Sequence, residues 1–132
     1  MIRGLNKHQF KQLAKQILNW CPHYLGFPLY RANLPKLYIN YSIDTHYADW
    51  RRLAYRASKI TLYPKRINTK KELVKFTIHE YVHFMQFTHL SKDKHYDQLT
   101  NIYGYKDNLY EVEARALADK FTPHIYRRIT LK

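Results

Sequence analysis

An α+β fold is what this sequence predicts, on three observations. Segments at about 5–20 and 70–88 repeat apolar residues at helical spacing, and a third at about 109–121 is rich in Ala. Stretches at 36–43 and 51–63 are β-branched and aromatic, as strands are. The chain has 132 residues and 45% apolar composition, enough for one compact domain over 1–132 and too apolar for wholesale disorder.

The elements follow in chain order. Leu5, Phe10, Leu13, Ala14, Ile17 and Leu18 recur every three or four residues with Lys and Gln between them, and Pro22 and the Pro28 region are expected to end that helix. Three prolines (Pro22, Pro28, Pro35) make 21–35 a loop. Residues 36–43 read as a strand. In 51–63, Leu53, Tyr55 and Ala57 alternate with polar residues, then Ile60 and Leu62 do the same; a reversal or a continuation at Ser58-Lys59 both fit. Pro64 has no N–H for a ladder, so this strand is expected at a sheet edge.

Thr69 and Glu72 have capping-box spacing at the start of the central helix. Its apolar residues run from Leu73 through Phe87 over most of the circumference, as in a buried helix. Residues 89–107, polar and rich in Tyr, read as a long loop, and the last helix should stop before Pro123.

Composition narrows the function. Lys plus Arg total 23 against 10 acids, a net charge of +13, which attracts nucleic acid, acidic protein or anionic surfaces. With 3 Gly, a glycine-rich nucleotide loop is excluded. The single cysteine, Cys21, excludes an internal disulfide and a Cys-based zinc finger, and is expected as a small core residue. The first residues lack an apolar stretch of signal-peptide length, and no apolar run nears the ~18 residues of a membrane span. A soluble cytoplasmic protein with no membrane contact is expected, in host cytoplasm if the origin is a phage.

The central helix contains His79-Glu80-Tyr81-Val82-His83. Histidines four apart lie one turn apart on one face, so their imidazoles can share a Zn²⁺ ion. Glu80 beside them can take the proton of a zinc-bound water that attacks a carbonyl. The competing interpretation is two histidines hydrogen-bonded within an apolar helix, where unpaired imidazoles and a carboxylate would be costly.

A third protein ligand is needed. Of only 4 Glu residues in the chain, Glu72 caps the helix and Glu80 lies in the motif; Glu111 and Glu113 sit together on the last helix. They point about 200° apart, so one of them can face the ion. Glu111 could instead cap with Asn108, and Glu113 could pair with Arg115 or Lys120. Glu111 is favoured.

The two motifs together resemble the gluzincin superfamily of zinc metallopeptidases, where a His-Glu-x-x-His helix precedes one bearing a glutamate ligand. Glu111-Val112-Glu113-Ala114 is similar to a stretch of the small intracellular ImmA/IrrE-type peptidases and minigluzincins. The resemblance spans about 69–121. It implies a small zincin-like α+β domain, His79, His83 and Glu111 as metal ligands, and Glu80 as general base. It further implies a short twisted sheet whose edge strand binds extended peptide, a place that residues 59–63 would take. Two features depart from the pattern. Arg115 stands where several members carry an acid that orients a ligand histidine, with Asp119 as a substitute at a different spacing. The ImmA/IrrE type also usually adds a DNA-recognition domain, for which the chain is too short.

A zinc-dependent peptidase is therefore expected, acting on a peptide or protein substrate that is acidic or associated with nucleic acid. His89, His95, Tyr103, Tyr105 and Tyr110 are candidates to stabilise the oxyanion, with none assigned. The alternative is a catalytically inactive, metal-stabilised basic module binding nucleic acid or a protein partner. Arg51, Arg52 and Arg56 would then form its contact surface, with Tyr-Lys-Arg clusters near 55–56 and 63–66.

Overall fold

The computed structural model of the chain describes residues 1–27, 33–54, 56–88 and 92–130. The architecture is α+β. Helices α1 (Lys7–Leu25), α2 (Lys70–Phe87), α3 (Lys92–Tyr103) and α4 (Leu109–Tyr126) accompany strands β1 (Lys36–Ile39), β2 (Ala48–Ala54) and β3 (Ala57–Leu62). No helix among the described residues is long and apolar enough to cross a membrane.

Helix α1 starts at Asn6, whose side chain accepts from Gln9 N at 2.8 Å while Gln9 Oε1 accepts from Asn6 N at 3.0 Å. Its buried stripe is Phe10, Leu13, Ala14, Ile17, Leu18 and Cys21. Pro22 does not end it. The helix runs one turn further because Tyr24 packs on Trp20 and Phe121, and Leu25 packs on the core. That turn closes at Gly26, whose φ of 78° suits glycine and whose N–H reaches Pro22 O at 2.8 Å.

The sheet has the order β1-β3-β2, with β1 parallel and β2 antiparallel to β3. The long 51–63 segment is thus parts of two strands. β2 ends at Ala54 and β3 starts at Ala57, with Arg56 at a φ of 70° before it, so the reversal precedes Ala57 and is not at Ser58-Lys59. Residue 55 lies outside the described residues, as do 28–32 of the predicted loop. The expectation that 59–63 forms an edge is also corrected: β3 is central, and β2 is the edge beside the cleft. Pro64 opens a short 3₁₀ turn, Pro64–Arg66, outside the ladder, so its missing N–H carries no information about edges.

Ile60 and Leu62 of β3, fully buried, pair with Trp50 and Ala48 of β2 to make the inner face that covers α2. Helix α2 is buried along Leu73, Val74, Ile78, Tyr81 and Phe84. Its start is half a capping box: Thr69 accepts from Glu72 N at 3.0 Å, but Glu72 reaches Asn68 N, at 3.1 Å.

The predicted loop at 89–107 contains α3 instead; residues 89–91 lie outside the described residues. Tyr96, Leu99 and Thr100 turn inward at helical spacing, and Asn108 ties α3 down by donating to Tyr96 O at 3.0 Å and Thr100 Oγ1 at 2.8 Å. In a stretch otherwise polar, that short stripe is too weak to read from hydropathy. Helix α4 buries Glu111, Ala114, Ala118 and Ile125 on one stripe against the core. The two alanines, fully buried, let its backbone lie close to α2. Ile125 also anchors a last turn beyond Pro123, which does not end the helix.

Candidate metal centre and cleft

The site is built where α2 and α4 cross beneath the start of β2. One turn of α2 presents His79, Glu80 and His83, with ligand atoms all within 4.8 Å of one another. The buried stripe of α4 delivers Glu111, only 1% exposed, to the same point. His79 Nε2 and His83 Nε2 stand 3.2 Å apart. Glu111 Oε1 lies 3.3 Å from His79 Nε2 and 2.5 Å from His83 Nε2, and its Oε2 lies 3.2 Å from His83. Ligands at 2.0–2.1 Å from a tetrahedral centre are separated by about 3.3 Å, so three of these four distances have the length of a tetrahedron edge.

Gln86 fixes the chemistry of these atoms. Its Nε2 donates to Tyr110 O at 3.0 Å and to Glu113 Oε1 at 2.8 Å, so the side-chain oxygen is the atom facing His83 Nδ1, at 2.8 Å. His83 therefore carries hydrogen on Nδ1, and the Nε2 of the neutral ring is a bare lone pair. That lone pair meets a carboxylate and a second imidazole nitrogen. Such a group is stable only with a proton or a cation between its members, and the donor set suits zinc.

The electrostatics follow. In the metal-free protein, with protons on the imidazoles in place of an ion, burial would raise the Glu111 carboxyl, but hydrogen bonds from His79 and His83 outweigh it and hold it down to about 2. Burial would lower His83, yet the Glu111 hydrogen bond and nearby carboxylates raise it. Burial pushes Glu80 up to about 6, against the opposing pull of His83 and His79. Phe87 stacks on the His83 ring at 5.2 Å and 15°, holding its plane.

Beside these residues opens a cleft of about 370 Å³. Strand β2 gives Ala48, Asp49 and Trp50; α2 gives Glu80, His83 and Phe87; Tyr96, Asp97, Tyr105 and Glu111 close the opposite side. Asp49 is held by the Tyr63 hydroxyl, which donates to Oδ2 at 2.6 Å.

All four residues singled out from sequence meet here. Asn108 caps α4 through Tyr110 N, leaving the Glu111 carboxylate to the imidazoles, while Glu113 is exposed and bonded to Gln86. Neither Arg115, in the place of the expected acid, nor the proposed substitute Asp119 bonds a histidine. Arg115 donates to Lys106 O, and Asp119 pairs with Lys75 at 3.1 Å. Gln86 does the orienting instead. Sequence reasoning missed it, although its spacing three residues after His83 is the clue.

The oxyanion candidates separate. Tyr105, 60% exposed as a residue, lines the cleft, and partial desolvation and the Glu111 carboxylate raise its pKa. His95 and Tyr110 bond one another at 2.7 Å, and Tyr103 is exposed and outside the cleft lining. His89 lies outside the described residues. Cys21 is fully buried, and burial pushes its thiol far up, as fits a core residue. No protein-family model, curated protein or solved structure matches the chain.

Proposed function

We propose that this chain is a zinc-dependent metallopeptidase of gluzincin-like design, with His79, His83 and Glu111 holding the ion. One observation carries the reading. Two imidazole nitrogens and a carboxylate converge within 2.5 to 3.3 Å of one another, beside a second buried carboxyl and an open cleft. Zinc, when bound, supplies a Lewis acid and brings the pKa of a water toward 7. Glu80, whose carboxyl is raised by burial in the metal-free protein, accepts a proton from the attacking water and returns it to the leaving amine. Tyr105 donates a hydrogen bond to the oxygen that becomes negative. The outer edge of β2 offers unpaired backbone groups to an extended peptide, which sets its scissile bond against Glu80. The lone buried cysteine supports a cytoplasmic setting.

The test is metal content by mass spectrometry on protein purified without a His-tag or chelator. About one zinc per chain is expected in the parent, lost in His79→Ala and in Glu111→Ala. Glu80→Gln should keep the zinc and lose peptide turnover. No metal in the parent after zinc is added back would overturn the reading, as would Glu80→Gln cleaving at the parental rate.

A further inference from the structure

The face of the sheet turned away from α2 carries a row of like charges. Lys36 of β1 pairs in register with Lys59 of β3, and Lys59 pairs on its other side with Arg51 of β2. Neighbouring strands are about 4.8 Å apart, so three cationic stems leave one line within about 10 Å. Like charges directly opposite in a sheet repel and cost stability. Among the described residues, none of the three has an acid within ion-pair distance. Asp49, two residues from Arg51 on β2, accepts from the Tyr63 hydroxyl through Oδ2, and its Oδ1 is buried without a hydrogen-bond partner.

Beside the row lies an aromatic surface. Tyr38, two residues after Lys36 and on its face, is 47% exposed, with Lys59 Nζ over its ring at 5.3 Å. Leu53, 51% exposed, extends the patch beyond Arg51. Alternation along β2 turns Arg52 to the inner side, where its guanidinium lies near the Trp50 ring, so the sequence cluster Arg51-Arg52 is divided between two faces. This patch adjoins the cleft through Asp49, but the cleft lining contains no Lys or Arg.

We infer that this outer face binds single-stranded nucleic acid. The phosphates neutralise the Lys36–Lys59–Arg51 row, and an unpaired base stacks on Tyr38. Backbone charge together with exposed base planes matches a cation row with a ring at its side. An anionic lipid surface or an acidic peptide would use the cations and leave the ring without a function.

Fluorescence anisotropy with labelled oligothymidylate and oligouridylate of about twelve residues tests the inference. Binding should appear at about 50 mM salt, with log affinity falling linearly as log salt rises. Lys36→Gln/Lys59→Gln/Arg51→Gln should lower affinity at least about 10-fold and shrink the salt slope by about 0.7 for each phosphate that is no longer neutralised. Its melting temperature should equal or exceed the parent's, since the variant relieves repulsion; unfolding therefore cannot mimic the result. Tyr38→Ala should weaken binding about 5-fold or more, while Lys75→Gln on the far side of α2 should bind as the parent does. The inference fails if the oligonucleotides do not bind at that salt, or if the triple variant keeps parental affinity and slope. It also fails if Tyr38→Ala is silent while phosphatidylserine vesicles or an oligoglutamate peptide bind equally well.

Discussion

The side-chain oxygen of Gln86 accepts the Nδ1 hydrogen of His83 at 2.8 Å, and this contact leaves the other ring nitrogen bare toward His79 and Glu111. Outer partners of metal-bound histidines set both tautomer and ring orientation. In this chain a neutral amide takes that part, held in turn by Tyr110 O and Glu113.

Gln86→Ala should therefore weaken zinc binding by about 10- to 100-fold, measured by competition with a chromophoric chelator. Gln86→Glu should fall short of the parent, because a carboxylate accepts the same Nδ1 hydrogen but has none to donate to Tyr110 O and Glu113. Equal zinc affinity in parent and Gln86→Ala would remove Gln86 from the design of the site.

The metal-free protein should show a stability maximum in mildly acidic solution. Glu111 is held at about 2, below its ordinary 4.5, so its contribution is present above about 4.5 and is lost as pH falls toward 2. His83 is raised above its ordinary 6.5, so its contribution is full below 6.5 and disappears as pH rises through the raised value. Melting curves in a chelator should fall off above neutrality. Saturating zinc should flatten that upper limb, since the ion replaces the shared proton. A chelated parent whose melting temperature does not change from pH ~6 to ~9 would contradict the proton-held triad.

Tyr105→Phe removes one hydroxyl from the cleft and leaves the three proposed metal ligands in place. Zinc content should be unchanged. The loss should fall on kcat, by roughly 10²-fold, with KM little altered, as for a hydrogen bond made to the transition state. A Tyr105→Phe enzyme with parental kcat would pass that task to Tyr96, whose ring lines the same cleft.

The sequence by itself determined the existence of α1, α2 and α4, though not of α3, and the His79-Glu80-His83 face, because these depend on strong local periodicity: the helix repeat alone puts residues four apart side by side. It also narrowed the third carboxylate to Glu111 or Glu113, since acids are scarce in the chain. Only the tertiary structure decided what depends on packing between distant segments. The alanine stripe of α4 presses Glu111 onto two imidazoles, and parallel pairing with β1 makes β3 central and leaves β2 at the cleft. Contacts of Tyr24 and Ile125 carry two helices past their prolines, against the local preference that would have ended them. Strand register lines up Lys36, Lys59 and Arg51, cations scattered over the sequence that only sheet pairing brings into one row.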